Sequence, residues 1–233
     1  MLTLAIDTSN TTLSIALVEG NNVLYEITET AKNDHSKRLM PAIEKLFKEA
    51  GCQPKDLDLI AVAQGPGSYT GVRIGVTVAK TLAWTLKKPL VGISSLEILA
   101  RNINEGGYVV PLFDARRQTV FAGIYDGKTY ESIIADGHYD LEQLLDNLSK
   151  KDKKMYFLGN DVIKYWELIE DKLGNRAVKI ENSELNIPHA SILAKLAISR
   201  EPIADIHHFS PAYHRLPEAE VNWMLEQKSK GLA

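Results

Sequence analysis

One cysteine, Cys52, stands among the 233 residues, so no disulfide can close within the chain and no Cys-based zinc cluster can assemble. Basic residues are not in surplus either: 27 Lys+Arg face 30 Asp+Glu, a net charge of −3. The balance is even along the chain, eleven against eleven in residues 1–105 and sixteen against nineteen in the rest. A protein that grips nucleic acid unaided usually carries a basic excess, and this one does not. Histidines number six and are scattered apart from His207 and His208. His35 is followed four residues on by Leu39, so a metal-binding helical His pair is missing there. The opening Met-Leu-Thr-Leu-Ala-Ile reaches Asp7 with no basic stretch, which predicts no secretory signal. The most apolar helical stretch, 70–86, is too short for a membrane span and carries Lys80. The expectation is a cytoplasmic protein with no membrane contact.

What remains is an ordinary globular composition, 45% apolar and 24% charged. A chain of this length buries enough surface to fold without a disulfide or a structural metal. Leu2, Leu4 and Ile6 alternate with Thr3 and Ala5 up to Asp7; Leu13–Val18 and Val23–Ile27 follow across short polar turns, predicting an antiparallel meander. Residues 36–50 place apolar side chains at 39, 42, 43, 46, 47 and 50, one face of a helix. Pro41 should bend that helix or mark its first turn, and Gly51 should end it. A strand over 57–63, a helix over 70–86, a strand over 90–93 and a helix from Leu96 towards Asn104 complete the first half, with Ser94-Ser95 as a cap.

After Gly106-Gly107 the pattern restarts. Strands are expected over 108–113, 119–125 and 129–134, with Asp126-Gly127 as a hairpin signal. Helices over 141–148, 162–173 and 190–199 alternate with strands over 155–158 and 178–180. The reading is a duplicated α/β module: an N-terminal lobe, 1–105, and a C-terminal lobe, 106–233, with a final helix over 217–228 packing back on the first lobe.

Asp7-Thr8-Ser9 at a strand end admits two readings, a magnesium-phosphate turn or a hairpin turn with local side-chain caps. Gly65-Pro66-Gly67-Ser68-Tyr69-Thr70-Gly71 before a helix could cradle an anion, yet it lacks the Lys-Ser/Thr of a Walker loop. Asp114-Ala115-Arg116-Arg117 is either a second phosphate-side turn or a charged hairpin. Cys52 has no activator, and Ser68, Ser94 and Ser95 sit in no nucleophile elbow. On the helix after the glycine loop, Gly71, Gly75, Ala79 and Ala83 recur every four residues as a smooth ridge. Either that helix is buried between layers of its own lobe, or one face meets another subunit.

The ordered motifs carry a resemblance. Ile6-Asp7-Thr8-Ser9, His35-Ser36 with Leu39 and Pro41, and Gly65-Pro66-Gly67-Ser68-Tyr69-Thr70-Gly71-Val72-Arg73-Ile74-Gly75 come first. Val91-Gly92-Ile93-Ser94-Ser95-Leu96-Glu97, Asp114-Ala115-Arg116-Arg117 and Pro211-Ala212-Tyr213-His214-Arg215 with Glu218-Ala219-Glu220 follow. Together they resemble the bacterial TsaB (YeaZ) family, once labelled glycoprotease-like, over nearly the whole chain. His214 departs from the Leu more usual there. The resemblance implies the actin, Hsp70 and sugar-kinase (ASKHA) fold of two related α/β lobes. It also implies a non-catalytic scaffold, with no cofactor, in making N6-threonylcarbamoyladenosine at position 37 of tRNA. Its partners would be the transferase TsaD, the ATPase TsaE and a second copy of itself, with tRNA reached only through the complex.

The implied interface joins the two apolar helices. It comprises His35, Leu39, Ile43, Leu46, Phe47, Gly71, Val72, Gly75, Val76, Ala79 and Leu82. Asp7, Thr8, Ser9 and Asp114 would be a vestigial nucleotide site. The rival readings are an ATPase or kinase of the same fold using Asp7 and Asp114, and a metallopeptidase, for which the histidine spacing supplies no metal pair.

Overall fold

The computed structural model describes residues 1–30 and 34–214; the helix expected over 217–228 lies outside the described residues. Three consecutive strands joined by short turns can only pair antiparallel, whereas strands separated by a helix pair parallel. Both arrangements occur, twice over. The first sheet holds β1 (Leu2–Asp7), β2 (Thr12–Glu19), β3 (Asn22–Thr30), β4 (Leu59–Ala63) and β5 (Leu90–Ile93) in the order β3-β2-β1-β4-β5. β1, β2 and β3 are antiparallel, while β1, β4 and β5 are parallel. The second sheet holds β6 (Tyr108–Asp114), β7 (Thr119–Asp126), β8 (Ser132–Asp140), β9 (Met155–Leu158) and β10 (Ala177–Lys179). Its order, β10-β9-β6-β7-β8, repeats the first with the same strand directions.

Six helices connect the strands: α1 (His35–Ala50), α2 (Tyr69–Leu86), α3 (Ser95–Ala100), α4 (Leu141–Ser149), α5 (Trp166–Leu173) and α6 (Ala190–Ala197). Gly51 ends α1 in the left-handed conformation, at φ 67°. Pro41 lies inside α1, six residues after its start, so it does not mark the first turn. Ser94 caps α3, accepting from the N–H groups of Leu96 and Glu97. The helix expected over 162–173 is split into a 3-10 turn, Val162–Tyr165, and α5. β8 also differs from expectation: it starts at Ser132 and runs on to Asp140. Asp136-Gly137 reads as a turn in sequence, but the strand continues because Asp136 finds hydrogen-bond donors within the fold.

Each sheet is covered on both faces. Leu4, Ile6, Ile15 and Leu17 of the first sheet pack under α1 and α2; full burial of one such side chain is worth roughly 2 kcal/mol. The opposite face is nearly all alanine, Ala5, Ala16, Ala61 and Ala63, and meets Ala190, Ala194 and Ala197 of α6. In the second sheet, Leu112, Ile124 and Phe157 pack under α4 and α5, and Val109, Phe113 and Leu158 against α3.

The third helix of each sequence module therefore lies on the other module's sheet. Strands of the first sheet hold the start of α6. Ala190 N–H donates to Ser14 Oγ at 2.9 Å and Ser191 N–H to Glu26 Oε1 at 2.9 Å, a carboxylate placed where the helix dipole favours it. Beyond α6 the chain returns along the first sheet's edge. Ile203 N–H donates to Leu90 O and Ala212 N–H to Gln64 O, both at 2.8 Å, while Lys80 Nζ reaches the carbonyls of His207 and Phe209.

Candidate functional site

The turn after β1 and the start of α2 are built as one unit. Thr8 Oγ1 donates to Gly71 O at 2.7 Å, and Ser68 N–H donates to Ser9 O at 2.7 Å. That closeness is what the glycines allow. A Cβ on Gly71 would stand 2.2 Å from Thr8 O, one on Gly75 2.5 Å from Thr8 Oγ1, and one on Gly67 2.1 Å from Ser9 O. Asp7 is fully buried below the turn, its Oδ1 accepting from Ser9 N–H at 2.8 Å. Burial pushes its pKa up to about 6, an effect the Ser9 N–H only partly offsets. Asp7 Oδ2, Ser9 Oγ and His35 Nδ1 are buried without a hydrogen-bond partner in the chain. His35 Nε2 lies 2.7 Å from Asn10 O and so ties α1 to the same turn.

The matching turn after β6 is held differently. Asp114 accepts from Arg116 N–H at 2.6 Å, Lys164 Nζ at 2.8 Å and Tyr165 Oη at 2.8 Å. Burial works against its charge, but the Lys164 ammonium, the Arg116 N–H and the Tyr165 hydroxyl hold its carboxyl below the usual range. Lys164 also pairs with Asp161 at 2.7 Å, and the two carboxylates keep its ammonium charged well above the ordinary lysine range. Arg116, Arg117 and Gln118 are all left-handed, at φ 65°, 52° and 59°. A non-glycine residue there costs about 1–2 kcal/mol. The tip is held by Thr119 N–H and Oγ1 on Arg116 O, by Ala115 N–H on Thr119 O, and by Leu141 N–H on Gln118 O.

Between the two turns lies an open cleft of about 630 Å³. Ser9, Asn10 and residues 66–70 form one wall, residues 113–117 with Phe121 and Asp161 the other, and 212–214 the rim. Of the expected nucleotide-site residues, Ser9 and Asp114 line it; Asp7 and Thr8 lie behind the wall. Asp114 comes with its carboxylate engaged, and among the described residues no three His, Cys, Asp or Glu side chains gather where they could hold a metal ion. Deeper, Ser94 and Tyr125 donate to the two oxygens of Asp136. Burial raises the Asp136 pKa against these donors and, together with Asp136 itself, raises that of Tyr125. This cluster bonds the end of β5 to β7 and β8, across the lobes. The sequence reading missed it, as it missed Lys164 and Tyr165; Lys164 three residues after Asp161 was the available signal.

The structure corrects the interface expectation. His35, Leu39, Ile43, Leu46 and Phe47 of α1 are buried on the chain's own sheet, as are Gly71, Val72, Gly75, Val76 and Ala79 of α2. The small-residue ridge faces inward, because Gly71 and Gly75 make room for Thr8. Leu82 alone of the set is half-buried. With Ile74 and Val78 it forms an apolar stripe on the outer side of α2, packed only partly against the core. Trp84, 61% exposed, stands beside that stripe in sequence and stacks edge-on with His207 at 4.1 Å between centroids.

Two sheets of this order with helices exchanged between them define a two-lobed α/β protein of the actin, Hsp70 and sugar-kinase fold. The hexokinase of the ROK type from Thermus thermophilus shares it: TM-score 0.50 at 11% identity, over 86% of this chain and all of that one. Residues 22–223 match the sequence model of the family described as TsaD, tRNA N6-adenosine threonylcarbamoyltransferase. The tRNA threonylcarbamoyladenosine biosynthesis protein TsaB of Bacillus subtilis is 45% identical over 98% of this chain and all of its own. The solved structure of YeaZ from Pseudomonas aeruginosa is 29% identical with a TM-score of 0.75, over 91% of this chain and 99% of that chain. The chain belongs to the TsaB (YeaZ) family.

Proposed function

We propose that this chain is a non-catalytic subunit of the machinery that makes N6-threonylcarbamoyladenosine in tRNA, and that it works by pairing with the transferase TsaD. The observation that carries the non-catalytic reading is the state of the two strand-end carboxylates. Asp7 is sealed beneath its turn, and Asp114 is committed to Lys164 and Tyr165. Neither faces the cleft as a ligand for a magnesium-phosphate group. The pairing surface is the outer side of the α1–α2 pair, with Ile74, Val78 and Leu82 as its apolar stripe. A TsaD of the same family carries a like pair of helices, so the homodimer and the heterodimer compete for one face. TsaE, the ATPase, acts on the assembled pair, and the site of action is the cytoplasm. Among the described residues no helix is long and apolar enough to cross a membrane.

The test is Val78→Asp, which buries a charge in the interface while leaving the core untouched. The variant should keep its urea midpoint, elute as a monomer and fail to co-purify with TsaD. Undiminished recovery of the TsaD complex would overturn the assignment of this face. Turnover of Mg-ATP by the isolated chain, lost in Asp7→Asn or Asp114→Asn, would overturn the non-catalytic reading in favour of a kinase or ATPase.

A further inference from the structure

We propose that the mouth of the inter-lobe cleft is a contact for single-stranded RNA, seating one unpaired base on the Tyr69–Tyr213 pair and the adjoining phosphodiesters on Arg116 and Arg117. The inference rests on the proposed role in tRNA modification and adds a contact made by this chain itself. Tyr69 and Tyr213 are 46% and 47% exposed, with ring centroids 5.2 Å apart and planes tilted by 32°. Exposed tyrosines paired at a cleft rim offer a π-face that any base can use. Arg73 lies over the Tyr69 ring, 5.2 Å from its centroid, and donates to Tyr69 Oη at 3.0 Å. This holds the ring and adds positive charge beside it.

The facing wall supplies the charge for the backbone. Asp114 and Asp161 would repel a phosphate, but Lys164 pairs with both, at 2.8 and 2.7 Å. With Arg116 and Arg117 added, that wall is cationic although the whole chain is at net −3. The left-handed tip, φ 65° and 52° at the two arginines, sets both on the cleft wall, opposite the residues of the glycine-rich turn. Strained non-glycine backbone kept at a cleft in this way is a pointer to function. An aromatic platform on one side and paired arginines on the other match a base with its neighbouring phosphates. The mouth is open, as a strand passing through requires.

The experiment is fluorescence anisotropy of the full chain with a 5′-labelled, unstructured RNA of about ten nucleotides, as a function of salt. Tyr69→Ala should weaken binding about tenfold with the salt slope unchanged, and Tyr69→Phe should restore it. Arg116→Gly with Arg117→Gly keeps the left-handed tip, which glycine favours. It should lower the slope of log K against log salt by about 1.4, from roughly 0.7 for each phosphate of a single strand. Lys37→Ala with Arg38→Ala, on the exposed side of α1, should leave both quantities as they are.

The proposal is overturned if the chain does not bind the RNA or the cleft variants bind like the parent. It is equally overturned if the α1 control loses as much, or if AMP displaces the strand at equal nucleotide concentration, which would mark a mononucleotide pocket. Its failure is separable from that of the subunit role. The RNA titration uses this chain alone, whereas Val78→Asp is read by TsaD co-purification.

Discussion

Gly75→Ala should destabilise the protein, although the same change in an ordinary exposed helix stabilises by about 1 kcal/mol. The added Cβ would stand 2.5 Å from Thr8 Oγ1, an atom already fixed by its bond to Gly71 O. Overpacking of this kind costs roughly 1–3 kcal/mol, enough to cancel the helix-propensity gain and leave a net loss of about 1 kcal/mol. For a chain of 233 residues that lowers the melting temperature by about 2–4 °C. Gly71→Ala should cost more, because its Cβ meets the backbone carbonyl of Thr8 at 2.2 Å, and carbonyls do not rotate away. Urea denaturation of single and double variants measures both. Thr8→Ala removes the obstructing hydroxyl, so Thr8→Ala/Gly75→Ala should cost less than the sum of its parts. No such relief should appear with Gly71→Ala. The control is Gly106→Ala, where a Cβ meets nothing within 4 Å. Stabilisation by Gly75→Ala, or additivity with Thr8→Ala, would refute the inward-facing ridge and return these glycines to an external interface.

Asp7 has its folded pKa raised to about 6, against an unfolded value near 3.9. The unfolded chain therefore releases its proton first, and stability is lost as pH rises from about 4 through 6, by roughly 3 kcal/mol in all. Asp7→Asn should remove that decline, seen as converging urea midpoints at pH 4.5 and 7.5; an unchanged decline refutes the assignment. Ser94→Ala deletes the cap of α3 and one donor to buried Asp136. It should cost about 2–3 kcal/mol, with the Asp136 pKa pushed up further, and a loss under 0.5 kcal/mol would refute the inter-lobe lock. A fragment of residues 1–105 should show no cooperative urea transition, since α6, which covers its alanine face, is missing.

Much of the fold was legible in the sequence because its signals are local. Alternation in 2–6, the run 13–18 and the turn at Gly20-Asn21 specify the meander, and the stripe at 39, 43, 46 and 47 specifies α1 with its cap at Gly51. Periodicity says nothing about which sheet a helix will meet, so the placement of α6 on the first sheet was beyond it. The ridge Gly71, Gly75, Ala79 shows the same limit. Small residues every four positions report a close approach, and the approaching element here is the chain's own Thr8 rather than another subunit. At the site, Asp7 and Asp114 were visible as strand-end carboxylates. Their states were not, because Lys164 lies 50 residues from Asp114 and Asp136 lies 42 from Ser94.

The exchange of α3 and α6 bears on how the lobes should be divided. We propose the boundary near Gly106-Gly107 for the strands, since β1–β5 and β6–β10 form separate sheets. The cores do not follow that boundary. The alanine face of the first sheet is closed by a helix from the second half of the chain, and Val109 and Phe113 of the second sheet by Leu96 and Leu99 of the first. Ser94 of the first half is bonded to Asp136 of the second. A kinase of this fold must open and close its lobes around a nucleotide, and every such crossing contact resists that motion. Asp7 and Asp114, at corresponding strand ends on the two lobes, are likewise one sealed and the other salt-bridged. Rigid lobes and occupied carboxylates point the same way, towards a chain that presents fixed surfaces to partners, with α2 outside the cleft and the paired arginines at its mouth.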